Sequence, residues 1–197
     1  MILLVGNGPI SPDAVSLIDQ ANFVVRFNDC RSYGELPGPT HAVAVCNTGR
    51  SGRSLATSAK WRSHLAIREA REFWCVRNPA KFLELRDSII DQWPGLADFC
   101  DDHTSRFAAY SAALGKNFVV FDHSIHDEVD RNLADFGPPR YVVPSSGMLA
   151  LHYVLRRFPD LPVILTGFTH QGWKWHPFSA EKTLVDHYIR LGRVTRL

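Results

Sequence analysis

The chain has 197 residues, of which 45% are hydrophobic and 21% are charged, a composition typical of a folded globular protein. Lysine and arginine outnumber aspartate and glutamate only by 22 to 20, a bias too weak to indicate a nucleic-acid or membrane-surface binder, and we expect no nucleic-acid partner. A local basic site for a small anion stays compatible with this balance. The length predicts a single domain over residues 1–197.

The four cysteines show neither a Cys-x-x-Cys pair nor metal-ligand spacing. We therefore expect reduced, mostly buried thiols, which are typical of a cytoplasmic protein. Met1 leads directly into an apolar run without a basic leader, and no apolar stretch approaches the ~18 residues of a membrane span. We expect neither a signal peptide nor a transmembrane segment, and the sequence does not indicate an oligomeric state.

Apolar runs alternate with segments of helical spacing along the chain. The predicted strands are Ile2–Val5, Phe23–Asn28, His41–Asn47, Arg71–Pro79, Phe118–Phe121, a short one at Arg140–Val143, and Pro162–Phe168. The predicted helices follow Ser11 and cover Ser58–Ala70, Lys81–Gln92, Asp122–Gly137, Met148–Phe158 and Ser179–Leu191. Residues 47–54 read as a mobile Gly/Ser/Arg loop, and residues 96–116 as only partly helical. This alternation predicts an α/β doubly wound, mostly parallel Rossmann-like sheet with helices on both faces.

The first turn, Gly6-Asn7-Gly8, joins a buried strand to a predicted helix. A dinucleotide fingerprint would continue with a third glycine and an acid at the end of the second strand. This chain instead has Ser11 and Asn28 at those places. Two amides at adjacent strand ends suit a neutral sugar–base ligand with a phosphate nearby better than a ribose held by a carboxylate. A turn with only a backbone role is the alternative.

Ligands of such sheets bind at the carboxyl ends of the strands, which directs attention to Asn47, Gly167 and the segment Pro144–Gly147. Ser145, Ser146 and Gly147 precede a helix, so their hydroxyls and free N–H groups predict a cradle for a phosphate or carboxylate. An ordinary helix cap is the alternative for this segment. Arg50 and Arg53 either clamp an anion or simply lie in an exposed loop.

The segment HPFSAEK places His176 five residues before Glu181, at the start of the last helix. An imidazole whose tautomer is set by a nearby partner can act as a general base. The alternative is a surface histidine and a glutamate that complements the helix dipole. The cluster Asp122-His123 and His126-Asp127-Glu128 resembles a metal site, but a solvated helix start is the favoured interpretation.

Taken together and in order, ILLVGNGP with IDQANFVVRFND, then PSSGMLALHYVLRRFPDLPVILTGF, then HPFSAE resemble the large, small and very small motifs of the animal-type sialyltransferase family. The resemblance covers about the first fifty and the last sixty residues. It implies a metal-independent, inverting glycosyltransferase that moves a sialic-acid-like sugar from a CMP-sugar donor to a glycan hydroxyl. No cofactor beyond the donor is implied, and the expected partners are that donor and the glycan acceptor.

The resemblance assigns residues as well as a reaction. It implies that Asn7 and Asn28 contact the nucleotide and that Ser145, Ser146 and Gly147 line its site, with His176 as the base. The motif cysteines are absent, and the third motif is compressed, so that His170, Trp173, Lys174 or Trp175 would replace it. Two other functions stay open: a non-catalytic nucleotide-binding accessory protein of the same fold, and an unrelated Rossmann-like enzyme that uses a dinucleotide.

Overall fold

The computed structural model describes all residues 1–197, which build one seven-stranded sheet in which every pair of neighbouring strands is parallel. The strands are β1 (Ile2–Val5), β2 (Phe23–Phe27), β3 (Ala42–Val45), β4 (Glu72–Cys75), β5 (Asn117–Val120), β6 (Val163–Thr166) and β7 (Val194–Arg196). Their spatial order is β5-β4-β3-β2-β1-β6-β7. The predicted α/β doubly wound, parallel architecture is therefore confirmed.

Eight α-helices surround the sheet: α1 (Gly49–Thr57), α2 (Ala59–Ser63), α3 (Leu65–Glu69), α4 (Pro79–Gln92), α5 (Thr104–Ala113), α6 (His123–Ala134), α7 (Ser146–Arg157) and α8 (Phe178–Arg190). Alternate strand residues serve opposite faces. Leu4 and Val25 pack with apolar residues of α6, α7 and α8 on one face. Val43 and Phe73 pack with residues of α2, α3 and α5 on the other.

The strand order creates a crevice between the ends of β1 and β6. The chain builds the sheet outward from β1 to β5 and then returns to place β6 against the free side of β1. Val5 consequently faces Arg26 of β2 on one side and Thr166 of β6 on the other. The connections leave β1 and β6 in opposite directions, which opens a binding crevice at their carboxyl ends.

Several elements differ from the prediction, including the helix predicted over Ser58–Ala70, which the structure divides into α2 and α3. The helix predicted after Ser11 is two 3-10 turns, Pro12–Ala14 and Ile18–Gln20, each anchored by one buried residue, which is too little apolar face for a continuous helix. The predicted mobile loop at residues 47–54 mostly forms α1, in which Gly52 packs directly against the Asn47 backbone. No strand forms at residues 140–143, and β7 was not predicted.

Smaller corrections concern element ends and side chains. The last helix, predicted over Ser179–Leu191, begins and ends one residue earlier, as α8 follows Pro177. All four cysteines are buried and unpaired, as the spacing predicted. No helix has the length and apolar character needed to cross a membrane.

Candidate functional site

The carboxyl ends of β1, β2 and β6, the start of α7 and the loop after β6 enclose a cavity of about 320 Å³, here called the first cavity. It is lined by all the predicted site residues except Asn47: Gly6, Asn7, Gly8, Asn28, Ser145, Ser146, Gly147, Gly167, His170, His176 and Glu181. Segments far apart in the chain thus meet in a single space. A residue that lines the cavity is not necessarily available to a ligand. The hydrogen bonds of each lining residue show whether its polar atoms are free or already bonded within the protein.

The glycines of the first turn are required by close packing of the backbone. A Cβ on Gly6 would overlap the carbonyl oxygen of Gly167, and a Cβ on Gly8 would lie 2.9 Å from the same oxygen. Gly167 itself has a φ of +73°, a conformation that favours glycine. The Gly-Asn-Gly turn therefore allows β1 and β6 to end in contact.

The Asn7 side chain is used within the protein. Its Nδ2 donates to the Phe27 carbonyl at 2.9 Å and to Asp29 at 3.0 Å, and its Oδ1 accepts from the Arg31 N–H at 2.9 Å. Both donors and one acceptor lone pair are occupied. Asn7 therefore fixes the end of β2 against the first turn.

Asn28 differs from Asn7, although the sequence placed the two in equivalent positions. Its Oδ1 accepts from the Cys46 N–H at 2.8 Å, which leaves both Nδ2 protons without a protein acceptor. The residue is half-buried and has a φ of +51°, in the left-handed region that asparagine tolerates better than most residues. This conformation presents a free amide donor to the cavity.

The start of α7 offers a second set of donors. Ser145 caps the helix by accepting from the Met148 N–H at 3.2 Å, and its own N–H and hydroxyl donate to Glu181 at 2.6 and 2.7 Å. The hydroxyl of Ser146 and the backbone N–H groups of Ser146 and Gly147 donate to no protein acceptor. These free donors at a helix N-terminus favour an anionic group in the cavity.

Glu181 is a buried bracket for Ser145. Only 1% of the residue is exposed, and burial raises the pKa of its carboxyl to about 7 although both hydrogen bonds from Ser145 oppose the rise. The predicted partnership with His176 does not form, because both carboxylate oxygens are directed at Ser145. Through its two hydrogen bonds to Ser145, this buried carboxyl holds the start of α7 in place.

His176 lies in the cavity wall with its tautomer fixed by a backbone group. Its Nδ1–H donates to the Val143 carbonyl at 2.8 Å, and its ring packs edge-on against Trp173 and Phe178. Burial lowers the pKa of the ring to about 4, against the effect of that hydrogen bond. The imidazole is therefore neutral at pH 7, and its Nε2 is free to accept a hydrogen bond.

His170 closes the far side of the first cavity. Its φ of +50° is unusual for this residue type, and its Nε2 lies 3.3 Å from an Arg196 guanidinium nitrogen. Burial, together with the positive charge of Arg196, lowers the pKa of His170 to about 4. Of the other residues considered for this segment, Trp173 lines a neighbouring cavity, whereas Lys174 lies over the Trp175 ring.

A second cavity of about 650 Å³ adjoins the first and shares with it Asn7, Asn28, Arg31, Ser146 and His176. Its other walls are the start of α1, the loop at residues 96–99, Trp173 and Arg77. Arg50 lines it and, with Arg53, pairs with Asp98 at 2.9 Å. Sequence reasoning missed Arg77, because the predicted strand Arg71–Pro79 included it, whereas β4 ends at Cys75 and leaves Arg77 at the carboxyl edge.

Asn47 lies outside both cavities and is fully buried. Its Nδ2 donates to the Arg77 carbonyl at 2.9 Å and to Thr104 at 2.7 Å, while its Oδ1 accepts from the Arg77 N–H at 2.9 Å. Its amide thus joins the ends of β3 and β4 and is closed to a ligand. This corrects the expectation that it lines the ligand site.

The histidine–carboxylate cluster on α6 also resolves into separate contacts. The His123 ring bonds to both Glu84 and Asp127. The buried His126 accepts a hydrogen bond from the Asn78 N–H, and Glu128 pairs with His152. No group of three or more histidine, cysteine, aspartate or glutamate side chains is arranged to hold a metal ion.

Comparison with known proteins gives one relative with extensive sequence identity. The chain is 42% identical over 199 aligned positions to the urease operon 23 kDa accessory protein of Rhizobium meliloti (strain 1021), covering 100% of this chain and 92% of that protein. No protein-family model matches the chain.

Two solved structures share the fold at low identity. A mammalian sialyltransferase superposes with a TM-score of 0.57 at 18% identity, covering 100% of this chain and 68% of that one. The sialyltransferase CstII from Campylobacter jejuni, determined with cytidine-5'-monophosphate, gives 0.52 at 15% identity, covering 100% and 79%. At these identities the likeness establishes the architecture alone.

The chain belongs to the family of the urease operon 23 kDa accessory protein. The assignment to the sialyltransferase family is therefore wrong, and with it the expected glycosyltransferase activity on a CMP-sugar donor and a glycan acceptor. The two solved structures share the fold of this chain. In this chain the Gly-Asn-Gly turn and the contacts of His176 and Glu181 hold that fold together.

Proposed function

We propose that this chain, as a member of that family, is a non-catalytic accessory protein of urease that acts through binding at the carboxyl edge of its sheet. The observation that carries the proposal is the 42% identity over the whole chain to a protein named for that operon and role. The expected sites of interaction are the two adjoining cavities for a small ligand and the outer surface for a protein partner.

The side chains once expected to perform chemistry support a binding role. An efficient general base has a pKa near the working pH. The His176 ring, with a pKa of about 4, is a weak proton acceptor but a good hydrogen-bond acceptor. Both carboxylate oxygens of Glu181 are bonded to Ser145. The carboxyl edge of the sheet does provide free hydrogen-bond donors, which are the Asn28 amide and the unbonded groups at the start of α7. These donors can bind a ligand.

Deletion of the gene in the organism that encodes it tests the accessory role. We expect the strain to make normal amounts of urease protein with reduced urease activity and reduced nickel per urease, because maturation of a nickel enzyme is where an accessory protein acts. Activity should return with a plasmid copy of the wild-type gene. Unchanged urease activity and nickel content at every nickel supply would contradict the role.

A matched pair of plasmid variants links the role to the edge. Asn28→Asp retains the acceptor for Cys46 but replaces the free amide with a negative charge, so we expect poor restoration of urease activity. Arg106→Met changes an exposed residue of α5 that makes no ion pair, and it should restore activity fully. If both variants restored urease activity equally, the accessory role would not depend on the cavities. Release of CMP from a CMP-sugar by the purified protein would contradict a non-catalytic role.

A further inference from the structure

Arg77 is a buried cation at the end of β4, in the wall of the second cavity. Only 5% of the residue is exposed. Its guanidinium stacks over Phe99 at 4.3 Å and lies 5.1 Å from the Phe82 ring centre. A guanidinium stays charged at all working pH values, so the fold accommodates a permanent positive charge at this point.

No carboxylate of the chain neutralises this charge. The single side-chain hydrogen bond of Arg77 runs from Nη1 to the Thr48 hydroxyl oxygen at 2.7 Å. By contrast, the half-buried Arg157 makes two bonds to Glu72, and the exposed Arg50 pairs with Asp98. Burying an unpaired charge is costly, so a cation retained in this state is expected to meet an anion from outside the chain.

Arg26 provides an internal comparison. It is also buried without a carboxylate partner, but it donates to Thr40 and to the Leu36 carbonyl and lines neither cavity. One of its nitrogens is sealed from solvent without a partner. The unbonded Nε and Nη2 of Arg77 are not sealed in this way, and the residue lines the cavity. Arg77 is thus accessible to a ligand, whereas Arg26 is not.

The start of α1 borders the same cavity. Thr48 precedes the helix, but its hydroxyl oxygen accepts from Arg77 and caps no N–H of the first turn. The backbone N–H groups of Arg50 and Ser51 donate to no protein acceptor, and both residues line the cavity. The two carboxylates there, Asp29 and Asp98, are each paired with an arginine. The cavity therefore holds one uncompensated positive charge beside free helix N–H donors.

The geometry points to an oxyanion site formed by Arg77 and the first turn of α1, which binds the phosphate or carboxylate group of a small molecule. The two cavities share Asn28, Ser146 and His176 in their walls, so the first cavity is the adjacent space for the rest of that molecule. This inference names the ligand class for the edge through which the accessory role is proposed, and in that respect it rests on the proposed function.

The test measures the melting temperature and binding isotherm of the full chain with inorganic phosphate and with succinate, against sodium chloride at equal ionic strength. Wild-type protein should show a saturable rise with at least one oxyanion, and the stronger of the two identifies the group. Arg77→Met keeps the apolar contact with Phe82 and Phe99 and should bind at least about tenfold more weakly. Arg106→Met should respond as wild type does.

The unliganded stability of Arg77→Met separates a ligand role from a packing role. Removing an unpaired buried charge should leave the melting temperature unchanged or higher. A lower melting temperature with an undiminished phosphate response would assign Arg77 to packing and overturn the site. Equal responses of the wild type to the oxyanions and to chloride would overturn it as well.

A measurement on the wild type alone covers the case in which the variant fails to fold. In a phosphate titration followed by amide NMR, the Arg50 and Ser51 resonances should shift most, and shifts spread evenly over the surface would overturn the site. Urease is absent from all these measurements, so failure of the oxyanion site is distinguishable from failure of the accessory role.

Discussion

The two cavities share a wall but use their polar groups differently. Around the first cavity, several polar side chains are bonded within the protein: Asn7 holds the end of β2, and Glu181 holds Ser145. Around the second cavity, Arg77 has a permanent charge and no acid to meet it. Polar residues at strand ends are thus mostly part of the fold, and a missing partner indicates a ligand better than position does.

The largest effect on stability is expected from disrupting the close backbone contact between Gly6 and Gly167, at the ends of β1 and β6. Gly6→Ala places a methyl group on the Gly167 carbonyl oxygen, and neither backbone can withdraw without breaking the sheet. We expect a loss of more than about 4 kcal/mol of unfolding free energy, or no folded protein. Urea denaturation of purified protein measures it. Gly34→Ala, which adds a methyl in open space, should stay within about 0.5 kcal/mol.

The next effect distinguishes two asparagines of similar sequence context. Asn47→Ala removes three buried hydrogen bonds and leaves the backbone N–H and carbonyl of Arg77 unpaired, at a cost of about 3 to 4 kcal/mol. Asn28→Asp keeps the bond to Cys46 and should cost under about 1 kcal/mol while weakening phosphate binding. Both values come from denaturation curves. Similar losses of unfolding free energy in the two variants would contradict the proposal that Asn47 is part of the fold and that the Asn28 amide is free.

The pH dependence of stability tests the Glu181 bracket. Its carboxyl has a pKa of about 7 when folded and 4.5 when unfolded, so its contribution is fully present below pH 4.5 and is lost as pH rises to 7. Glu181→Gln removes this loss. The stability of the variant minus that of the wild type should therefore rise by up to about 3 kcal/mol across this interval.

The subtraction is needed because three histidines act in the opposite direction. His126, His170 and His176 have pKa values lowered to about 4, so their contribution is present above pH 6.5 and lost as the pH falls toward 4. These contributions cancel between wild type and Glu181→Gln. A difference that is flat from pH 4.5 to 7 would show that Glu181 is ionised at the ordinary pKa.

The smallest effect concerns a hydroxyl without a protein partner. Ser146→Ala should leave the melting temperature unchanged, because the hydroxyl makes no hydrogen bond within the chain. Loss of one donor at the shared wall should weaken phosphate binding about two- to fivefold. Calorimetric titration measures this, with Ser105→Ala near the start of α5 as the control. A clear loss of stability in Ser146→Ala would place that hydroxyl with Asn7 as part of the fold.

Local patterns in the sequence were sufficient for most of the fold. Short apolar runs gave six of the seven strands within a few residues, because the strands of a parallel sheet covered by helices are mostly apolar. The short strand β7 contains Thr195 and Arg196, so it lacks that signature. The prediction of a helix after Ser11 was wrong, because a continuous helix there would need a larger buried face than Ala14 and Ile18 provide.

The site was predictable only as a location. Strand-end residues met in one cavity, as the parallel topology requires, but the sequence could not tell which amides were free. Asn7 and Asn28 differ in register and backbone conformation, neither of which a linear pattern contains. Arg77 was missed because an unpaired charge is defined by the carboxylates that are absent around it in space.

The bonds from His176 to Val143 and from Glu181 to Ser145 have a consequence for motif searches. Both residues of the His-x-x-x-x-Glu spacing tie α8 and its entry loop to one short segment before α7. In this chain that spacing is explained by contacts that hold the fold, without a catalytic step. The spacing alone therefore does not indicate a reaction, and enzymatic ability must be judged from what each side chain leaves unbound.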